Sequence, residues 1–381
     1  LEKITMAKGK ISTETEKVMA PEDQLESILK STKEDHYNYE EAHDYKVGCS
    51  SLLLTSMLSG GLGPGAHRFV GLASGGKTSA SLDFMHHFLN DRSRKRRGIF
   101  IKSEGRLSEE IRDRSGIKFV YNTAEWIDGS CFVFESNIYE AVFKLKRDLI
   151  TNNPTNTEYF FITDSVDSLI KRDDAKKAED ESITVGGGSL ITSVFLKKVG
   201  LAMAKRGHVD IYISQIRDQI KINPYEIAIP KQGKASGPRA LEHQADVVIE
   251  FLPRFGGDLI HEGEKGSKVV GHFAKAKIVK SNNEKNMVEV KYPIRYGQKG
   301  GKSVWTSYEL ADLLQLWEIA YKPNGKGAWF ELEPNFRTEM AASLNIEVPE
   351  KIQGVNGLRQ FIEDSEPIQK YLFDRFKDLT M

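Results

Sequence analysis

His67-Arg-Phe-Val-Gly71-Leu-Ala-Ser-Gly-Gly76-Lys77-Thr78-Ser79 is the stretch on which the fold is decided. Its second half fits G-x-x-x-x-G-K-[ST], and it lies between an apolar run at 67–71 and an amphipathic stretch at 78–90. A glycine-rich turn between a strand and a helix lets backbone N–H groups face inward around phosphate oxygens, and the helix points its positive end at the same anion. Lys77 supplies a point charge for the outer phosphates and Thr78 an oxygen for Mg²⁺. The predicted nucleotide-binding residues are therefore Gly71, Leu72, Ala73, Ser74, Gly75, Gly76, Lys77, Thr78 and Ser79, with ATP and Mg²⁺ as cofactors. A chance glycine-rich turn is the bland alternative, and the strand-to-helix context weighs against it.

The same alternation continues outward. Apolar runs at 98–102, 159–163 and 209–214 read as buried strands, and stretches at 108–115, 137–149 and 190–205 read as helices. Strand and helix alternating at this spacing predict an α/β fold with a mostly parallel, doubly wound sheet. Runs at 247–251, 269–276 and 287–292 are expected to extend that sheet with antiparallel strands. Residues 306–381 read as a small helical C-terminal lobe. Residues 1–20 are polar and aperiodic, which predicts disorder, and Pro21 opens a helix carrying Leu25, Ile28 and Leu29. The expected organisation is a tail and helix at 1–45 that could dock on a protomer, an ATPase core at 46–305, and the lobe at 306–381.

Two carboxylates close the site. Asp164 ends the apolar run Tyr159-Phe-Phe-Ile-Thr-Asp164, at the strand edge where ligands bind in such sheets, and is assigned to the Mg²⁺ shell together with Thr78. Glu104 follows the run at 98–102 and is the candidate to orient or deprotonate the attacking water. Its alternative is a solvated glutamate after a strand.

Composition bounds the function. Lys plus Arg is 54 and Asp plus Glu is 54, a net charge of zero that argues against coating duplex DNA by bulk charge but leaves room for a local basic groove. Only 2 cysteines occur, so no disulfide framework is expected and a reducing cytoplasm fits. The opening LEKITMAKGKISTETEK has no apolar signal core, and Met6 offers an internal start that would make residues 1–5 an upstream addition. No stretch reaches the roughly 20 apolar residues of a membrane span.

In this order, the phosphate loop, the Glu104 strand, Asp164-Ser165 and Tyr212-Ile-Ser-Gln215-Ile-Arg217 resemble the RecA family of DNA strand-exchange recombinases. Arg239-Ala-Leu241, Val269-Val-Gly271 and Lys277-Ile-Val-Lys280 extend the likeness, which covers about residues 46–330. The resemblance is greatest to the UvsX-like recombinases of tailed phages, through Ser59-Gly-Gly61-Leu-Gly-Pro-Gly65, Leu313-Leu-Gln-Leu316, Tyr321-Lys-Pro323-Asn324-Gly325 and Trp329. It implies a RecA-like P-loop core, DNA-dependent ATP hydrolysis, and self-association into a helical filament on single-stranded DNA that pairs with duplex DNA. It also implies service by a loading mediator and a single-strand-binding protein, and the cytoplasm of a bacterial host if the chain is phage-encoded.

By the same resemblance Gln215 is a catalytic-site sensor linking the γ-phosphate to DNA, and Lys280 reaches a neighbouring protomer's phosphates. Two mobile loops are expected to hold DNA. The first, 179–188, ends in Gly186, Gly187 and Gly188, and the second, 217–238, with Arg239 just beyond it, brings Arg217, Lys221, Tyr225, Lys231 and Lys234. Basic residues in a long Gly/Pro-punctuated loop suit phosphates, and Tyr225 suits base stacking. A solvated surface loop is the alternative. Two positions depart from the family pattern: Ile111 stands where an aromatic residue often faces adenine, and Asn282 where RecA has a second lysine. The cluster Arg92-Ser-Arg-Lys-Arg-Arg97 reads as a surface turn before a DNA patch, and the basic run 265–302 reads as a solvated face or as a contact to phosphates. Two other functions remain open: a hexameric replicative helicase, which would need a longer N-terminal primase-binding domain than residues 1–45, and a DNA-binding paralogue that does not hydrolyse ATP.

Overall fold

The computed structural model describes residues 20–105, 107–178, 187–217, 234–235, 238, 240–262, 267–284, 286–325 and 327–380. The chain divides after Glu41 into two compact units. In the first, Pro21 starts α1 (Pro21–Ser31), Glu22 and Asp23 occupy the first turn where the helix dipole favours them, and Leu25 and Ile28 are exposed.

In the second unit the helices up to residue 305 are α2 (Leu52–Met57), α3 (Lys77–Asn90), α4 (Glu109–Ser115), α5 (Tyr139–Thr151), α6 (Gly187–Lys205) and α7 (Ala240–Gln244). The strands are β1 (Gly65–Gly71), β2 (Arg96–Lys102), β3 (Lys118–Val120), β4 (Ser130–Glu135), β5 (Glu158–Asp164), β6 (Val209–Arg217), β7 (Lys234–Ala235), β8 (Val247–Phe251), β9 (Leu259–His261), β10 (Val269–Lys280) and β11 (Val288–Arg295). Among the described residues they form one 11-stranded sheet with the path β11-β10-β8-β1-β6-β5-β2-β4-β3, β7 pairing with β6 and β9 with β10 off this path. From β8 to β3 every pair on this path is parallel.

Burial on both faces explains the near-continuous apolar strands. In β5 Phe160 packs on Phe88 of α3 with ring centres 5.3 Å apart. Its neighbour Phe161 points the other way, toward Lys146 of α5. On that second face Phe143 of α5 meets Phe195 of α6 at 4.6 Å. Helices thus flank both sides of a mostly parallel sheet, a RecA-like α/β core.

Three expectations need correction. The run at 247–251 was expected to be antiparallel, but β8 lies parallel to β1 and the direction reverses only at β10, which pairs antiparallel with both β8 and β11. A short apolar run carries no directional information, so its pattern gave no basis for an antiparallel assignment. The triple glycine is not all loop, because Gly187 and Gly188 already belong to α6. A Cβ on Gly188 would lie 2.5 Å from the Tyr139 ring, so close packing requires this glycine. The C-terminal segment is not purely helical either. Around α8 (Thr306–Leu316), α9 (Pro334–Leu344), α10 (Gly354–Glu363) and α11 (Glu366–Thr380) it adds a sheet of β12 (Ala320–Tyr321), β13 (Trp329–Leu332) and β14 (Lys351–Gln353).

That segment has its own apolar cluster, including Leu310, Leu314, Phe330, Leu358 and Phe376. It is tied to the main sheet's surroundings by buried Glu309, which accepts hydrogen bonds from Ser51 Oγ at 2.7 Å and from the backbone N–H groups of Leu52 and Leu53 at 3.0 and 3.2 Å. Burial pushes the Glu309 carboxyl up to about 7 against these bonds.

Candidate active site

The carboxyl ends of β1, β6, β5 and β2 share one edge of the sheet, where loops gather and ligands bind. Register sets Gly71 beside Gln215 and Lys102 beside Asp164. The turn after β1 is shaped by positive φ at Gly71, Ser74 and Gly76. A Cβ on Gly71 would stand 2.4 Å from the Phe251 carbonyl oxygen, so the loop depends on glycine there.

Lys77 is buried, and its amine donates to the carbonyls of Gly71 at 2.9 Å and Leu72 at 2.7 Å. Burial lowers its pKa, while Asp164, Glu104 and Asp167 pull it back up. Thr78 Oγ1 donates to Asp164 Oδ2 at 2.8 Å. Burial raises the Asp164 pKa, the Thr78 bond opposes it, Glu104 adds to it and Lys77 lowers it. A hydroxyl and a carboxylate converging beside a phosphate loop fit Mg²⁺, which takes one or two protein oxygens and leaves its remaining positions to phosphates and water. Among the described residues no group of three or more His, Cys, Asp or Glu side chains is placed to hold a metal by itself.

Glu104 is not a freely solvated glutamate. One carboxylate oxygen, Oε2, accepts from Ser165 Oγ at 2.8 Å and from the Ser168 hydroxyl, and Oε1 accepts from the Gln215 side-chain amide at 3.1 Å. The Gln215 backbone N–H donates to Asp167 Oδ2 at 2.6 Å. Lys77, Thr78, Glu104, Asp164 and Gln215 are thereby brought to one edge of four neighbouring strands.

Lys280 stands apart from them. The β8–β10 register sets Ala276 beside Phe251, next to Gly71, and Lys280 beside Val248, toward the other end of the sheet. Its amine donates to the carbonyls of His243 at 2.8 Å and Ala245 at 2.6 Å, covering the end of α7. Asn282 donates to Asp246 at 3.1 Å. Arg217 and Lys234 are paired across β6 and β7. Gly186, Lys221, Tyr225, Lys231 and Arg239, with most of both expected DNA loops, lie outside the described residues.

The cluster at 92–97 is largely matched by acids. Arg94 and Arg96 bind Glu158 at 2.6 and 2.7 Å, and Arg97 binds Asp128 at 2.9 Å. Only the first part of the cluster is a turn, because Arg96 is buried at the start of β2 and Arg97 follows it in the strand. In the run 265–302, Lys275 binds Asp258 at 2.7 Å, Lys299 binds Asp113 at 2.7 Å, and Arg295 binds Glu363.

Sequence reasoning missed one wall of the site. A cavity of about 500 Å³ runs from the phosphate loop past Ile111 and Arg114 to Arg254, His272 and Tyr296. Arg114 donates to Ser79 Oγ at 3.0 Å, and Arg254 to the Tyr296 hydroxyl at 3.0 Å. Tyr296 brings to this cavity an aromatic ring of the kind that Ile111 lacks. The only signal was a Tyr-Gly pair after a strand, and folding was needed to carry it back to the loop.

No family model matches the chain. It is distantly similar to RecA proteins. The RecA of Chlorobaculum tepidum is 24% identical over 218 residues, 57% of this chain and 54% of that protein. The RecA of Chlorobium limicola is 25% identical over 169 residues, 44% of this chain and 43% of that protein. The RecA of Chloroherpeton thalassium is 27% identical over 172 residues, 45% of this chain and 43% of that protein. The chain spans about half the length of the curated relatives it matches. At this identity and coverage the likeness to RecA is distant, and it is in keeping with the sheet order and the glycine-rich loop. Among the described residues no helix is long and apolar enough to cross a membrane.

Proposed function

We propose that this chain is an ATP-dependent recombinase of the UvsX-like kind, which assembles as a filament on single-stranded DNA and exchanges strands with homologous duplex DNA. The observation that carries the reading is the contact of Gln215 with Glu104 at the edge where Thr78 meets Asp164. It joins a hydrolytic site to β6, which leads straight into the basic segment after Arg217.

In this reading residues 71–79 wrap the phosphates, and Lys77 neutralises charge on the outer ones. Thr78 and Asp164 hold Mg²⁺, which supplies further charge neutralisation when bound. Glu104 orients or deprotonates the attacking water. Gln215 passes the state of the γ-phosphate to DNA held by the segments at 179–188 and 217–238, through Gly186–188, Arg217, Lys221, Tyr225, Lys231, Lys234 and Arg239. Lys280, set away from its own phosphate loop, serves a neighbour's phosphates across a filament contact. A loading mediator and a single-strand-binding protein act on the same DNA.

The test is electron microscopy with single-stranded DNA and ATP, paired with a strand-exchange assay and a Lys77→Ala control. Helical filaments and joint-molecule formation, both lost in Lys77→Ala, are expected. Closed rings would favour the helicase reading, and DNA binding without ATP turnover the non-hydrolysing one.

A further inference from the structure

Asp167 and Ser168 have no part in the assignments above, yet both touch the site. They lie on the 3₁₀ turn Val166–Ser168, immediately after Asp164-Ser165. In a turn of about three residues per revolution, neighbouring side chains leave in well-separated directions, so one turn can serve two different strands. Ser168 Oγ reaches the Glu104 carboxylate beyond the end of β2 and lies 3.1 Å from the Ser165 hydroxyl, which holds the same oxygen. Asp167 reaches the other way, to the backbone N–H of Gln215 on β6. The β5–β6 pairing runs only to Thr163 beside Tyr212. Past that point the strands have no ladder between them at Gln215, and the Asp167 carboxylate takes the place of a backbone acceptor.

We infer that the 165–168 turn is a joint: Ser168 positions Glu104 and Asp167 positions Gln215, so that the hydrolytic carboxylate and the strand entering the DNA-binding segment keep one fixed relation. This rests on the ATPase reading proposed above. Both are positioning residues, acting through Glu104 and Gln215. A hydrogen bond to a carboxylate is of the stronger kind, and losing one at a positioned group corresponds to roughly tenfold in rate.

The experiment measures ATP hydrolysis by the full chain against single-stranded DNA concentration, separating kcat from KM. Asp167→Ala is expected to lower the ratio of DNA-stimulated to DNA-free kcat about tenfold with the KM for ATP unchanged. Asp167→Asn, which keeps an acceptor oxygen, restores most of that ratio. Ser168→Ala lowers kcat severalfold with and without DNA, and Ser168→Thr restores it. The Ser168 pair tests the same joint if Asp167→Ala does not fold. Wild-type stimulation in Asp167→Ala overturns the inference, and so does a raised KM with unchanged kcat, which would mark a nucleotide-binding role instead. Glu104→Gln in the same assay separates the two levels. A wild-type rate there removes the ATPase assignment of Glu104, whereas a dead Glu104→Gln beside a wild-type Asp167→Ala removes the joint alone.

Discussion

Replacing Glu104 by glutamine keeps side-chain length and one acceptor oxygen but deletes the charge and the proton-accepting oxygen pair. The surroundings can absorb the change. With its oxygen toward Ser165 and Ser168, the new amide keeps both hydroxyl bonds seen at Oε2. Its NH₂ then faces the Gln215 amide, which turns to present oxygen in place of the donor now 3.1 Å from Oε1. One hydrogen bond is exchanged, at a cost of roughly 0.5–1.5 kcal/mol at most. No hydrogen bond of Lys77 or of the Thr78–Asp164 contact goes to Glu104, which acts on Lys77 and Asp164 only through its charge. Chemistry bears the loss instead: removing a positioned base typically slows a reaction by about 10²–10⁴-fold, or roughly 3–5 kcal/mol of barrier. The measurement is phosphate release at saturating Mg-ATP and single-stranded DNA, with binding of a fluorescent ATP analogue and thermal melting followed in parallel. Slow turnover with intact binding and melting is expected. Turnover at the wild-type rate refutes the reasoning, and lost nucleotide binding shows that Glu104 is structural.

Gln215→Ala should collapse the ratio of DNA-stimulated to DNA-free hydrolysis toward one, and an undiminished ratio would remove the coupling role. Removing the charges of Arg217, Lys231 and Lys234 together should weaken DNA binding and flatten its salt dependence, since each phosphate contact contributes to the slope; an unchanged salt titration would move the DNA site elsewhere. Lys280→Ala should lose DNA-dependent ATPase and regain part of it when mixed with Lys77→Ala protomers, because mixed interfaces can pair one intact face from each; full activity in Lys280→Ala alone would leave it only the covering of α7. Glu309 gives a pH prediction. Its folded pKa, about 7, lies above the ordinary 4.5, so the native state holds the extra proton between those values; the stability it contributes is fully present below about pH 4.5 and is lost as pH rises toward 7, on the order of 3 kcal/mol. Melting of Glu309→Gln should therefore vary less across that window than melting of the wild type, and parallel curves would show that Glu309 does not titrate there.

What the sequence determined by itself is the local pattern. Gly71 to Ser79 could be read because a phosphate loop is contiguous: strand, turn, lysine and hydroxyl follow one another along the chain. Asp164 and Glu104 could be read because each ends an apolar run, and parallel strands place such ends on one edge. The alternation of strand and helix gave the mostly parallel sheet for the same reason, since period and burial are written in each segment separately. Tertiary structure decided whatever depends on partners far apart in the chain. Whether Val247–Phe251 ran parallel, whether Arg94 and Arg96 faced DNA or Glu158, and whether Tyr296 reached the phosphate loop were all questions of pairing, and a residue's type does not name its partner. The link from Glu104 to Gln215 is of this kind. More than a hundred residues of chain separate them, and only the sheet order β1-β6-β5-β2 brings the two ends within reach of one hydrogen bond.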